Sequence, residues 1–176
     1  MDAIRVLAGL AQLERVLGQF YVWLSEVFGD DTELSGWLFR LSLQEAAHAS
    51  LVDYHRRNAR NGQIPDLDVD PRDFDDLQGL ISGLYSLDRK PTLREALAVA
   101  MCVEGSAAER LHGRMANGVQ GELRRTLVFL AREDEGHMEI LRKLAAWAEL
   151  KEPKRPDRQR QILAGGTARQ PSAVRL

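Results

Sequence analysis

Six residues of this chain have types and spacings that could bind metal. Glu14 is followed 31 residues later by Glu45, which opens Glu45-Ala-Ala-His48. Glu104 is followed 30 residues later by Asp134, which opens Asp134-Glu-Gly-His137. On a helix, a step of three residues places carboxylate and imidazole on one face. Four carboxylates with two neutral imidazoles suit hard-to-borderline divalent ions, chiefly iron or manganese. The pattern occurs twice, offset by about ninety residues, which points to one helical hairpin used twice around a pair of metal ions. Buried without a metal, four carboxylates would be costly, so some would take up protons or the core would loosen.

The elements that must position these residues are helices. Residues 3–28 carry Ile4, Leu7, Leu10, Ala11, Leu13, Leu17, Phe20, Tyr21 and Leu24 at three- and four-residue steps. Gly29-Asp30-Asp31 interrupts them, and Asp31 or Thr32 can cap a second helix running to about residue 60, where Asn61-Gly62 stops it. Thr92-Leu-Arg-Glu95 is a capping box after Pro91, so a third helix starts there and is expected to run to about Ala116. A fourth spans roughly residues 120–149 and ends before Pro153. The first turn lies near residue 30, sixteen residues after Glu14 and fifteen before Glu45. At ~1.5 Å per residue, both sit about 22–24 Å from it in an antiparallel pair. Glu104 and Asp134 are each fifteen residues from the second turn, near residue 119. The spacing therefore predicts an all-α, four-helix bundle: two antiparallel helical hairpins joined by a long crossover.

That crossover, residues 62–91, is acidic. Asp70-Pro71 suits a helix start, and Leu77, Leu80, Ile81 and Leu84 suit a short helix after it. Asp66-x-Asp68-x-Asp70 resembles the opening of a calcium loop, but the required glycine is missing and residue 77 is Leu rather than Glu.

Composition narrows the class. With 176 residues the chain has one domain's length, expected as residues 1–150, and 44% apolar with 28% charged residues is a globular balance. Residues 151–176 hold seven Lys/Arg against two Asp/Glu, a net of +5, which leaves −7 on the rest. An acidic body does not favour nucleic acid as a partner. The tail is rich in Pro and Gly and reads as solvated, with an anionic partner or a docking role as the alternative. No apolar run approaches ~18 residues, so no membrane span is expected, and the N-terminus does not read as a signal peptide. The single cysteine, Cys102, excludes an internal disulfide and a Cys-rich metal site and fits a cytoplasmic protein; Cys102 itself reads as a buried small apolar residue.

Ala11-Gln-Leu-Glu14-x₆-Tyr21, Glu45-Ala-Ala-His48, Glu104-Gly-Ser-Ala-Ala-Glu and Asp134-Glu-Gly-His137-Met-Glu-Ile-Leu together resemble the rubrerythrin branch of the ferritin-like superfamily over residues ~5–148. The resemblance implies a ferritin-like bundle with a di-iron site. Glu14 and His48 would be terminal ligands of one metal, Glu104 and His137 of the other, and Glu45 and Asp134 would bridge. It further implies an oxidoreductase that reduces peroxide or dioxygen, and commonly self-association, with a dimer favoured. Ferrous-iron oxidation and handling, a dimanganese site and a metal-free interaction module are the alternatives. Asp134 stands where the family has Glu, so its carboxylate reaches one methylene less; Glu133 or Glu135 could replace it as ligand. Leu111 occupies the position matching Tyr21. The family's frequent cysteine-rich domain is missing, so electrons must come from an external donor.

Tyr21 is the candidate catalytic side chain, either a core tyrosine or a hydrogen-bond donor to a metal ligand or a bound oxygen species. His55 and His112 read as structural histidines rather than extra ligands. Glu109 and Glu139 read as surface ion-pair partners. Trp23, Trp37 and Trp147 belong to the core or to a subunit contact, with Trp37 and Phe39 the aromatic hints of one.

Overall fold

A computed structural model describes residues 3–58, 72–106 and 111–151 of the chain. Six helices form, α1 (Ala3–Val27), α2 (Thr32–Asn58), α3 (Arg72–Tyr85), α4 (Leu93–Glu104), α5 (Leu111–Ala116) and α6 (Gly121–Lys151), and no strand occurs among the described residues. The protein is all-α there, and no helix is long and apolar enough to cross a membrane. Asn61-Gly62, the calcium-like aspartates, Asp70-Pro71, Glu109 and the basic tail beyond residue 151 lie outside the described residues.

α1 buries one stripe, including Val6, Leu7, Leu10, Leu13, Leu17, Phe20 and Leu24, while Arg5, Gln12, Arg15 and Gln19 stay exposed. Glu14 lies inside that apolar stripe, so folding carries its carboxylate into the core. The turn to α2 is short. Asp31 caps α2 by accepting from the Leu34 N–H at 3.1 Å, and Ser35 Oγ donates back to the Ser25 carbonyl at 2.9 Å. The two helices then run antiparallel as far as the Arg15–Asp53 ion pair. They approach closely at Gly18, where an added Cβ would lie 3.4 Å from the Cβ of Glu45. A methyl would fit there in ordinary contact, but a side chain longer than that of alanine would crowd Glu45 and Ser42.

α3 reverses the chain's travel. Phe74, Leu77, Ile81 and Leu84 form its buried stripe. Phe74 lies over Gly9 near the start of α1, where an added Cβ would come within 2.9 Å of the ring. At the other end of α3, Tyr85 packs edge-on against Trp23 with centroids 4.7 Å apart. α3 is thus parallel to α1. It delivers the chain to Lys90, whose ammonium lies 3.8 Å from Asp30 in the α1–α2 turn. α2 and α4 therefore start at the same end and run in the same direction. α6 is antiparallel to both. A Cβ added at Gly105 would lie 3.8 Å from Met138, and one added at Gly113 would lie 3.9 Å from Ala131. On the α2 side His55 Nε2 lies 2.8 Å from Thr126 Oγ1.

α4 begins with the expected capping box. The Glu95 N–H donates to Thr92 Oγ1 at 3.2 Å, and the Thr92 N–H donates to Glu95 Oε2 at 2.8 Å. The expected single helix to Ala116 is not continuous. α4 stops at Glu104, where the Gly105 N–H donates to the Met101 carbonyl and the Ser106 N–H to the Val103 carbonyl, each at 3.0 Å. Gly-Ser is a poor helix continuation, and an added Cβ at Gly105 would lie 2.9 Å from the Met101 carbonyl oxygen. A second correction concerns Cys102, which is exposed. The inward face of α4 is taken by Ala100, Val103 and Glu104, and Cys102 points the other way.

Candidate metal centre

The six acids and histidines singled out in the sequence are brought to one place inside the helices. Glu14 comes from α1, Glu45 and His48 from α2, Glu104 from the last residue of α4, and Asp134 and His137 from α6. Glu14, Glu45, His48, Glu104 and His137 are all buried, and the Asp134 side chain is 12% exposed. Glu45, His48 and His137 each offer a ligand atom within 4.8 Å of the others, a group that could hold a metal ion.

Glu45 divides its oxygens. Oε2 lies 3.6 Å from His48 Nδ1, and Oε1 lies 2.8 Å from His137 Nδ1. His48 Nδ1 is also 3.8 Å from Glu14 Oε2 and 4.0 Å from Asp134 Oδ1. His137 Nδ1 is also 3.6 Å from Glu104 Oε2. The two imidazoles lie nearly parallel, 15° between planes and 5.3 Å between centroids. Among the described residues, Glu45 Oε1, His48 Nδ1, Glu104 Oε2, Asp134 Oδ1 and both ring nitrogens of His137 are buried without a hydrogen bond. Polar atoms this deep are normally hydrogen-bonded, because leaving one unmade costs about 1–3 kcal/mol. Here they come close without donor–acceptor alignment. Donors sharing one metal behave this way, since their lone pairs aim at a common point. With bonds of about 2.0–2.2 Å, neighbouring donors stand roughly 3.0–3.5 Å apart. The site therefore fits a metal ion.

The electrostatics agree with this. Burial and the charge of Glu45 push the Glu104 carboxyl up to about 7, against the opposing pull of His137 and Tyr21. Burial disfavours a charge on His137, yet the carboxylates of Glu104 and Glu45 hold its imidazolium up to about 11. Burial also opposes the charge on Glu45, but Glu14, His137 and His48 outweigh it and carry its pKa below the usual carboxylate range. The cluster thus retains protons where a cation would neutralise it.

Neighbouring side chains hold the cluster in place. Tyr21, fully buried, donates its hydroxyl to Glu104 Oε1 at 2.6 Å. Glu133, the neighbouring acid on α6, accepts from Gln44 Nε2 at 3.2 Å, while Asp134 faces the cluster. Glu139 pairs with Lys143 at 2.7 Å on the surface, and His55 bonds Thr126, as expected of bystanders. A cavity of about 510 Å³ reaches the cluster between α4–α5 and α6, walled by Glu104, Gly105, Gly113, Ala131, Asp134 and Met138.

One member was missed. His112 reads from the sequence as structural, but it is fully buried, with Nδ1 2.9 Å from Asp134 Oδ2 and Nε2 3.5 Å from Glu14 Oε1. The available signal was a histidine inside the buried run of Leu111, Met115 and Ala116.

No family model, curated protein or solved structure matches the chain.

Proposed function

We propose that this protein is a di-iron oxidoreductase of rubrerythrin-like, ferritin-like type that reduces peroxide or dioxygen with electrons from an external donor. The observation that carries this reading is the split of Glu45 between His48 and His137, at 3.6 and 2.8 Å, inside a buried cluster of further carboxylates. A carboxylate with one oxygen toward each of two imidazoles is placed to bridge two metal positions. Glu14 and His48 would hold one, Glu104 and His137 the other, and Glu45 and Asp134 would lie between them. Four carboxylates balance two divalent charges in the reduced state. The pairing of α1 with α2 and of α4–α5 with α6, joined by α3, supports the ferritin-like arrangement.

A pair of ferrous ions bound there would supply two electrons, which with two protons reduce hydrogen peroxide to two waters. Manganese is the alternative occupant for these donor types. The chain's own residues do the positioning. Tyr21 holds Glu104 through one oxygen and leaves Oε2 facing His137. Leu10, Leu13 and Leu17 flank Glu14 and keep bulk water from the α1 side. The cavity beside Glu104 and Asp134 gives a small oxidant a way in. An external donor would supply the electrons. Exposed Trp37, Phe39 and Leu43 on α2 suit a homodimer contact.

The test is metal stoichiometry by mass spectrometry on protein expressed with iron and manganese supplied, followed by oxidation of the ferrous protein with peroxide. About two iron per chain, and a faster oxidation by peroxide than free ferrous ion shows, support the reading. Folded protein that retains no metal and takes up no ferrous ion overturns it.

A further inference from the structure

We infer that His112 is a seventh ligand, binding through Nε2 the metal position shared by Glu14 and His48. The inference rests on the two-metal reading above and adds a donor that this reading leaves out. His112 Nδ1 lies 2.9 Å from Asp134 Oδ2 with hydrogen-bond geometry. An ionised carboxylate only accepts, so the proton of this bond sits on Nδ1. In the neutral ring Nε2 then carries a bare lone pair. That nitrogen is buried, has no hydrogen bond among the described residues, and lies 3.5 Å from Glu14 Oε1. A lone pair facing a carboxylate is unfavourable unless a proton or a metal cation lies between them, and 3.5 Å without hydrogen-bond geometry is long for a shared proton. Histidines that bind metal commonly donate their other ring N–H to a carboxylate, which fixes tautomer and ring orientation. His112 and Asp134 reproduce that arrangement.

Glu14 is flanked on both sides. Oε1 faces His112 Nε2 at 3.5 Å, and Oε2 faces His48 Nδ1 at 3.8 Å. A metal held by Glu14 therefore meets two imidazoles, whereas one held by Glu104 meets only His137. The two positions are unequal. The nitrogen-richer one fills first, and divalent ions that favour imidazole distinguish it most strongly. Leu111 and His112 of α5 both turn inward.

Cobalt(II) titration of the full-length protein tests this, read by NMR with nitrogen-15-labelled histidine. Four histidines are present, and His55 bonds Thr126 away from the cluster. The expected result is three imidazoles with a strongly hyperfine-shifted ring nitrogen, and two binding steps separated in affinity. His112→Gln should remove one of the three and weaken the first step by at least about tenfold. The wild-type count stands even if that variant folds poorly. Two cobalt ions bound with only two imidazoles shifted, the Nε2 of His112 keeping its ordinary position, would overturn the inference and leave the two-metal site intact. Wild-type protein that binds no cobalt would overturn both.

Discussion

Tyr21 donates its phenolic hydrogen to Glu104 across 2.6 Å, tying the middle of α1 to the last residue of α4. Neither residue is exposed to solvent to any useful degree. Glu104 sits where the helix stops, so its side chain depends on this bond for its direction. Tyr21→Phe removes the donor and leaves the ring. The expected result is a loss of stability of about 1–2 kcal/mol in urea unfolding and a weakening of one metal-binding step by roughly 10–100-fold. Unchanged binding in a folded variant would reduce Tyr21 to a packing residue.

The acids of α6 have separate roles. Glu133 bonds Gln44, Asp134 faces the cluster, and Glu139 pairs with Lys143 outside it. Asp134→Asn should lower metal occupancy sharply, while Glu133→Gln and Glu139→Ala should leave it near wild type. Mass spectrometry of the purified variants reads this directly. If Glu133→Gln loses as much metal as Asp134→Asn, the assignment of Asp134 as ligand fails.

Gly9 and Phe74 form a steric lock between α1 and α3. Gly9→Ala places a methyl 2.9 Å from the ring. Overpacking of this kind costs about 1–3 kcal/mol. Pairing it with Phe74→Leu should recover part of that loss. Thermal unfolding of the two single variants and the double variant measures the coupling. Additive losses would show that the two residues do not oppose each other.

His55 predicts a pH dependence. Burial draws its pKa below the ordinary value, with Glu122 pulling partly the other way. A folded pKa below that of the unfolded chain means that folding favours the neutral ring. Its contribution is fully present above the unfolded pKa, about 6.5, and is lost as pH falls through the folded value. Between pH 8 and pH 5, wild type should lose more urea stability than His55→Gln does. Equal losses would place the sensitivity elsewhere, with the buried cluster the first alternative.

Metal loading should stabilise the fold, since the candidate ligands come from α1, α2, α4 and α6 and converge only in the folded chain. Adding ferrous ion under argon should raise the unfolding temperature of wild type and leave Glu45→Ala unmoved. The same shift in both would remove Glu45 from the site.

Much of this protein follows from local sequence patterns. Apolar spacing defines α1, α2 and α6, Thr92 and Glu95 define the start of α4, and Asp31 caps α2, because helix periodicity and capping act within a few residues. The i, i+3 step puts Glu45 with His48 and Asp134 with His137 on single faces for the same reason. The equal distances of the acids from their turns follow from the constant rise of a helix. Tertiary packing settled what local pattern leaves open. His112 of α5 is turned inward against Glu14 and Asp134, residues from α1 and α6 that no local pattern brings to it. Asp134 rather than Glu133 faces the cluster because adjacent residues differ by about 100° around a helix, and the packing of α6 on α2 and α5 chooses between them. Cys102 is exposed because α4 has only one inward face, filled by Ala100, Val103 and Glu104. The direction of α3 depends on Phe74 meeting Gly9, a contact between distant parts of the chain that no local period encodes.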